Sequence, residues 1–216
     1  MTVKAFVVSP FAENCYVCHD AGEAVVIDPG TATGAERSAV LDYVTRNGLA
    51  VRHLLLTHAH IDHILGCAFF AREFGMKWKL HEADLPLLES AELQARMFGV
   101  ELERPPTPDA SLREGEAIRF GKATWEIFHT AGHSPGSVSF YDEAGGFVIG
   151  GDVLFQGSIG RTDLWGGSMP TLLNAIQRKL MPLPDDTVVY SGHGPQTTIG
   201  AERRTNPFLA DTGAVR

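Results

Sequence analysis

Apolar and polar positions along the chain follow two periods, and the switches between them mark its elements. Two-residue alternation or short apolar runs at 3–8, 15–19 and 23–27 predict three strands in close succession, the last closed by the turn residues Asp28-Pro29-Gly30. Helical spacing takes over at 35–47, where Val40, Leu41 and Val44 share a face and Asn47-Gly48 provides a stop. The apolar run at 51–56 predicts a buried strand, 64–74 a helix closed by Gly75, and 78–80 a short strand. Periodicity returns over 82–98, with Pro86 in the first turn or bending the helix. Arg104-Pro105-Pro106-Thr107-Pro108 reads as a surface loop. Strands at 117–120, 124–129, 137–141 and 147–149 precede a helix over 169–180, capped by Ser168, and a strand at 187–190. Strand groups interrupted by helices, with charged groups at strand ends, predict sheets in the middle and helices outside.

At 216 residues the chain fits one domain, 1–216, with its last few residues expected to be disordered. Against 26 Asp and Glu stand 18 Lys and Arg, a formal charge of −8 that argues against nucleic acid or an anionic membrane as partner. Residues 1–10 hold one lysine and a short Val/Phe run, so no leader is expected. The longest apolar run, 64–71, falls far short of the ~20 residues that span a bilayer. Three cysteines cannot all pair, and a cytoplasmic location is expected. Cys15 and Cys18 form a lone C-x-x-C without a second pair, so they read as buried strand residues, and Cys67 as helix core.

Nine histidines are the unusual count, and five of them form a pattern. In Thr57-His58-Ala59-His60-Ile61-Asp62-His63, four potential metal ligands follow directly on the strand at 51–56. Groups this dense at the edge of a core are costly to desolvate unless a cation offsets them. His58 and His60 share a face of an extended chain, and a following helix would swing Asp62 and His63 to a second position. The spacing therefore favours two neighbouring metals. Each remaining candidate follows a strand: His133 in Gly132-His133-Ser134-Pro135-Gly136, Asp152 after Gly150-Gly151, and His193 in Ser191-Gly192-His193-Gly194. Such an N/O donor set suits divalent zinc first, with iron or manganese as further candidates. His19, His53, His81 and His129 lie outside the pattern and are expected to be surface or satisfied strand residues.

With Asn14-Cys15-Tyr16, Asp28-Pro29-Gly30, the T-H-x-H-x-D-H segment and the three glycine-flanked sites in this order, the sequence resembles the metallo-β-lactamase superfamily over nearly its whole length. The resemblance implies an α/β (α+β) fold: an αβ/βα sandwich of two mixed β-sheets flanked by helices, with a dinuclear centre at one edge. It implies that His58, His60 and His133 hold one metal and Asp62, His63 and His193 the other. Asp152 would bridge them together with a water or hydroxide, and Asp62 and Asp152 would be the catalytic carboxylates.

Within the superfamily the chain is most similar to short, single-domain glyoxalase II-like hydrolases. The segments that carry this are Leu154 to Asp163, Gly192-His193-Gly194-Pro195 and Thr205-Asn206-Pro207-Phe208-Leu209. The implied activity is hydrolysis of an acyl-glutathione or related small-molecule thioester. The leaving thiolate, with a pKa near ~8.5, needs little acid assistance. Two-domain glutathione-thioester hydrolases carry a C-terminal helical domain for glutathione, whereas here only residues 194–216 follow the last ligand. The runner-up is a persulfide dioxygenase, in which a single iron would be held by His58, His133 and Asp152. Lactone or ester hydrolysis and non-catalytic metal binding come next. Nucleases of the superfamily need an inserted domain, and true β-lactamases are usually exported and generally lack the bridging aspartate. Arg161 is a candidate for an anionic substrate group or for a pair with Asp163, and Phe155 and Trp165 for an apolar wall. The sequence sets no oligomeric state.

Overall fold

The computed structural model describes residues 1–109 and 111–210, so the disorder expected of the last few residues concerns positions outside those described. β1 (Thr2–Val8), β2 (Glu13–Asp20) and β3 (Glu23–Ile27) pair antiparallel. Helix α1 (Gly34–Arg46), which opens on a capping box between Thr33 and Glu36, crosses over to β4 (Ala50–Leu55), parallel to β3. After α2 (Ile61–Ile64) and α3 (Cys67–Glu73), β5 (Trp78–Lys79) adds the parallel edge strand of a five-stranded sheet. A 3-10 turn at Glu82–Asp84 leads into α4 (Leu85–Glu89) and α5 (Ala91–Phe98).

β6 (Ala117–Phe120), β7 (Ala123–His129), β8 (Val138–Asp142) and β9 (Phe147–Gly151) form an antiparallel meander. The small hairpin of β10 (Leu154–Phe155) and β11 (Ser158–Ile159) follows, then α6 (Met169–Ala175), which widens into a π turn at Ile176–Leu180. β12 (Val188–Ser191) lies parallel to β9, and β13 (Thr197–Thr198) completes a six-stranded sheet. Helices α7 (Ile199–Thr205) and α8 (Pro207–Ala210) end the described chain.

The period of two along the strands decides the layering. In β2, Tyr16 and Cys18 point between the sheets while Cys15 and Val17 point outward; in β3 the same division separates Val25 and Ile27 from Ala24 and Val26. The inward set meets Trp125, Ile127, Phe140 and Ile149 of the second sheet. Fully burying each such side chain contributes about 1.5–3 kcal/mol. Outward residues of the first sheet pack on α1, α3, α4 and α5, and Val148 and Val189 of the second pack on Leu172 and Ile199 from α6 and α7. This is the αβ/βα sandwich of two mixed sheets. The three cysteines are buried and free, with Cys15 and Cys18 on opposite faces of β2 and Cys67 at the start of α3.

Two expected helices are subdivided. The one over 64–74 begins earlier, as α2, and breaks where Gly66 passes Pro29: its N–H donates to the Pro29 carbonyl at 2.8 Å, and a Cβ there would overlap that oxygen. The one over 82–98 breaks at Ser90, whose N–H and hydroxyl both turn back to the Leu87 carbonyl. The hairpin of β10 and β11, and β13, α7 and α8, have no counterpart among the elements read from periodicity.

Candidate metal centre

The chain leaves β4 still extended through Thr57, His58, Ala59 and His60, and turns helical only at Ile61, with His60 as the N-cap of α2. His58 and His60 therefore share one side, and the first turn of α2 delivers Asp62 and His63 to the other. In the second sheet β9 runs antiparallel to β8 and β8 to β7, while β12 is parallel to β9. β7, β9 and β12 thus run the same way, and their ends bring His133, Asp152 and His193 to one edge. Two backbone bonds join the sheets there: Val138 donates to Thr57, and Asn14 to Gly192.

All seven expected ligands meet at this edge. His60 Nδ1 lies 2.8 Å from His133 Nε2, which lies 3.2 Å from His58 Nε2. On the other side, His193 Nε2 is 3.1 Å and His63 Nε2 3.7 Å from Asp62 Oδ2. Asp152 stands between them, 3.6 Å from His133, His63 and His193 alike. The donor atoms within each triplet, His58/His60/His133 and Asp62/His63/His193, all lie within 4.8 Å of one another.

Three of the rings are aimed by a hydrogen bond at the other nitrogen, and a fourth, His63, by a facing carboxylate. His133 Nδ1–H donates to the Arg161 carbonyl at 2.8 Å, and His193 Nδ1–H to the Phe11 carbonyl at 3.2 Å. The Thr57 hydroxyl donates to Asp28 at 2.6 Å, so it accepts from His58 Nδ1–H at 3.0 Å. His63 Nδ1 faces Asp28 Oδ2 at 3.1 Å. The remaining nitrogens of two of these rings, Nε2 of His58 and Nε2 of His133, face each other at 3.2 Å, where a cation would be shared between them.

Burial holds the His58 ring well below the ordinary imidazole range, reinforced by the other imidazoles, and pushes His60 down to about 3. Across Asp152 the balance reverses. Burial opposes charge on His63 and His193, but the carboxylates of Asp62 and Asp152, with Asp28 beside His63, raise both. Burial would also raise Asp62, yet His63 and His193 hold it below the carboxylate range.

Orphaned polar atoms test whether metals fit. His60 Nε2, His63 Nε2 and Asp152 Oδ1 are buried without a hydrogen-bond partner, where an unmet group is costly. Seven N and O donors converging in two sets on one shared carboxylate give each of these last two an electrostatic partner if cations lie between them. The residues present fit two divalent cations.

Several supporting residues have roles that the sequence does not assign. Asp28 adopts a left-handed φ of 48° and accepts the Thr57 N–H at 2.7 Å as well as its hydroxyl. Asp84, buried and raised by burial, ties two ligand loops together by accepting from Ala59 N–H, Gly136 N–H and the Ser134 hydroxyl. Glu13 is fully buried 3.8 Å from His63. Gly192 is required because a Cβ would overlap Asp152 Oδ1. Asn206 donates to the Ser158 carbonyl and to Glu202, which accepts from Gly157 N–H, so the C-terminal segment pins the β10–β11 hairpin beside the centre.

Above the donors opens a cavity of about 830 Å³, and Phe155, Arg161 and Trp165 all line it. The Arg161 guanidinium is engaged by both oxygens of Asp163, at 2.7 and 2.8 Å. The other four histidines are partnered away from the centre: His19 with Tyr43, His53 with the Arg119 carbonyl, and His81 stacked on His129. Among the described residues no helix is long and apolar enough to cross a membrane.

Comparison with known proteins agrees with this architecture. The model of the metallo-beta-lactamase superfamily matches residues 8–193. The hydroxyacylglutathione hydrolase GloC of Haemophilus influenzae is 38% identical over 217 residues, covering 97% of this chain and 98% of the relative. Among solved structures, the BLEG-1 B3 metallo-beta-lactamase is 40% identical with a TM-score of 0.86, covering 96% of this chain and 99% of that one. TTHA1623, solved in a di-iron-bound form, is 42% identical with a TM-score of 0.85, covering 96% and 100%. The chain belongs to the metallo-β-lactamase superfamily, whose members bind divalent metals and are mostly hydrolases.

Proposed function

We propose that the protein is a dinuclear metallohydrolase of thioesters, acting on an acyl-glutathione or a related small-molecule thioester. The observation that carries this reading is the pair of donor sets sharing Asp152 at the floor of an open cavity. Its similarity to GloC over nearly the full chain supports the thioester class. His58, His60 and His133 would hold one divalent cation and Asp62, His63 and His193 the other, with Asp152 between; zinc is the first candidate and iron the second. When bound, such cations supply a hydroxide nucleophile at neutral pH and Lewis acidity for a carbonyl oxygen.

The chain's own residues supply the rest. Partners at the second nitrogen of four of the imidazoles keep them from rotating out of position. Asp62 and Asp152, the carboxylates that line the cavity, offer oxygens that accept hydrogen bonds from an attacking water and orient it. Hydrolysis adds water across the C–S bond: a C–O bond forms, the thiol leaves, and the acid product releases one proton. No side chain is required to protonate the leaving sulfur, because thiolates leave readily near neutral pH.

Two other readings compete with it. β-Lactam hydrolysis is favoured by the likeness to the BLEG-1 B3 metallo-beta-lactamase. A mononuclear iron dioxygenase would need only His58, His133 and Asp152; the second set of three donors argues for the two-metal hydrolase instead. One experiment separates them: the metal content of the purified protein, with thiol release from S-lactoylglutathione, ring opening of a β-lactam, and oxygen uptake with glutathione persulfide measured in parallel. About two metals per chain and thiol release are expected. Faster β-lactam opening, or one iron with oxygen consumed, would overturn the thioester reading.

A further inference from the structure

The cavity above the donors is lined by two apolar walls. Leu93, Met97 and Phe98 face it from α5, and Phe155, Leu164 and Trp165 from the hairpin and the loop after it. Several of these are unusually open for their type: Leu93 is 53%, Met97 72% and Trp165 60% exposed. Large apolar side chains gathered around a reactive centre and left in water mark a binding surface.

Most of the polar lining outside the donor cluster is already committed. Gln94 accepts the Ile61 N–H and donates to the Leu87 carbonyl and the Ser90 hydroxyl, which itself donates to Leu87. Among the described residues Arg161 is the one Lys or Arg lining the cavity, and its fork is closed on Asp163. Glutathione carries two carboxylates and an ammonium group, and this lining offers few free groups to meet them.

The geometry points to a thioester with a large apolar acyl group as the preferred substrate, with the thiol portion left largely unread. This rests on the thioester reading and names its substrate class. The acyl chain lies between α5 and the loop bearing Trp165, the carbonyl reaches the donor cluster, and the thiol part extends to solvent. Each methylene placed between such half-open walls raises kcat/KM about two- to fourfold.

The test uses the metal-loaded protein and two substrate series. S-acetyl-, S-butanoyl- and S-hexanoylglutathione vary the acyl chain alone, and kcat/KM is expected to rise by on the order of tenfold or more from acetyl to hexanoyl. S-hexanoylglutathione against S-hexanoyl-N-acetylcysteamine varies the thiol alone, and the two are expected to agree within a few-fold. Met97→Glu and Leu93→Glu, at exposed positions that the fold tolerates, are expected to pull the hexanoyl-to-acetyl ratio toward one. A flat or falling chain-length series, or a glutathione ester preferred a hundredfold over the cysteamine ester, overturns the apolar-acyl inference while thioester hydrolysis stands. No turnover of any of these esters overturns the thioester reading itself, and this inference with it.

Discussion

The donor sets on either side of Asp152 are built by different physics. His58 and His60 are buried imidazoles held below the ordinary imidazole range by burial and by their imidazole neighbours, so their lone pairs are available without a proton having to leave, and His133 packs against both. Asp62, His63 and His193 form a mixed set with Asp152 in front and Asp28 behind, and there the carboxylates raise both imidazoles above their ordinary range. One position is ready for a cation; at the other a cation competes with more tightly held protons. The contrast teaches that two metals in one pocket need not be bound with equal strength or equal pH dependence.

The strongest test of that contrast is the residue the two sets share. Asp152→Ala is expected to lower metal content at both positions and to reduce kcat/KM by on the order of a thousandfold, the upper range for removing dedicated transition-state electrostatics. Elemental analysis with thiol-release kinetics checks it, and undiminished metal would break the shared-ligand picture. Asp62→Ala should fall on one side only, leaving about one metal per chain with activity down by on the order of a hundredfold. If both variants lose metal equally, the two positions are not independent.

Asp28 reaches both sides, His63 directly and His58 through Thr57. Asp28→Asn keeps the side-chain shape and tolerates the left-handed φ. Metal affinity is expected to weaken about 10- to 100-fold, mainly at the His63 position, as read by competition with a chelating dye. Equal weakening at both positions would assign Asp28 to the fold at large.

The pH dependence follows from the same asymmetry. Raised imidazoles keep their protons to higher pH, so on acidification proton competition begins first at the Asp62/His63/His193 position. The neutral His58 and His60, the latter falling to about 3, resist protonation to much lower pH. Metal per chain after equilibration from pH 8 downward should fall in two steps, from two toward one and then toward zero. A single concerted loss would mean that the metals, once bound, erase the difference.

How legible all this was depended on range along the chain. The ligands could be read because each sits on or just after a strand end that the apolar pattern marks, with four of them inside the segment His58 to His63. The residues that aim them could not. Asp84 meets Ala59, Ser134 and Gly136 across 25, 50 and 52 positions, and periodicity carries no information at that distance. The break of the 82–98 helix was hidden for a different reason: Ser90 turns its N–H and hydroxyl back to the Leu87 carbonyl, a local bond that the spacing of apolar positions does not record. Asp28 was visible as a turn residue, but its role appears only once Thr57 and His63 fold over it.

Arg161 carries the smallest expected effect. The sequence gives its guanidinium two readings, an anchor for an anionic substrate group or a partner for Asp163, and is silent on its carbonyl. In the fold its carbonyl holds His133, while the guanidinium closes on Asp163 with both partners largely exposed. An exposed pair of this kind contributes little, because solvent screens it. Arg161→Ala preserves the carbonyl, so KM should change less than about threefold for anionic and neutral thioesters alike, with kcat unchanged. A tenfold rise in KM confined to the anionic ester would show the guanidinium leaving Asp163 for the substrate. The loop would then be reading charge beside the histidine position, and the thiol portion could no longer be regarded as unread.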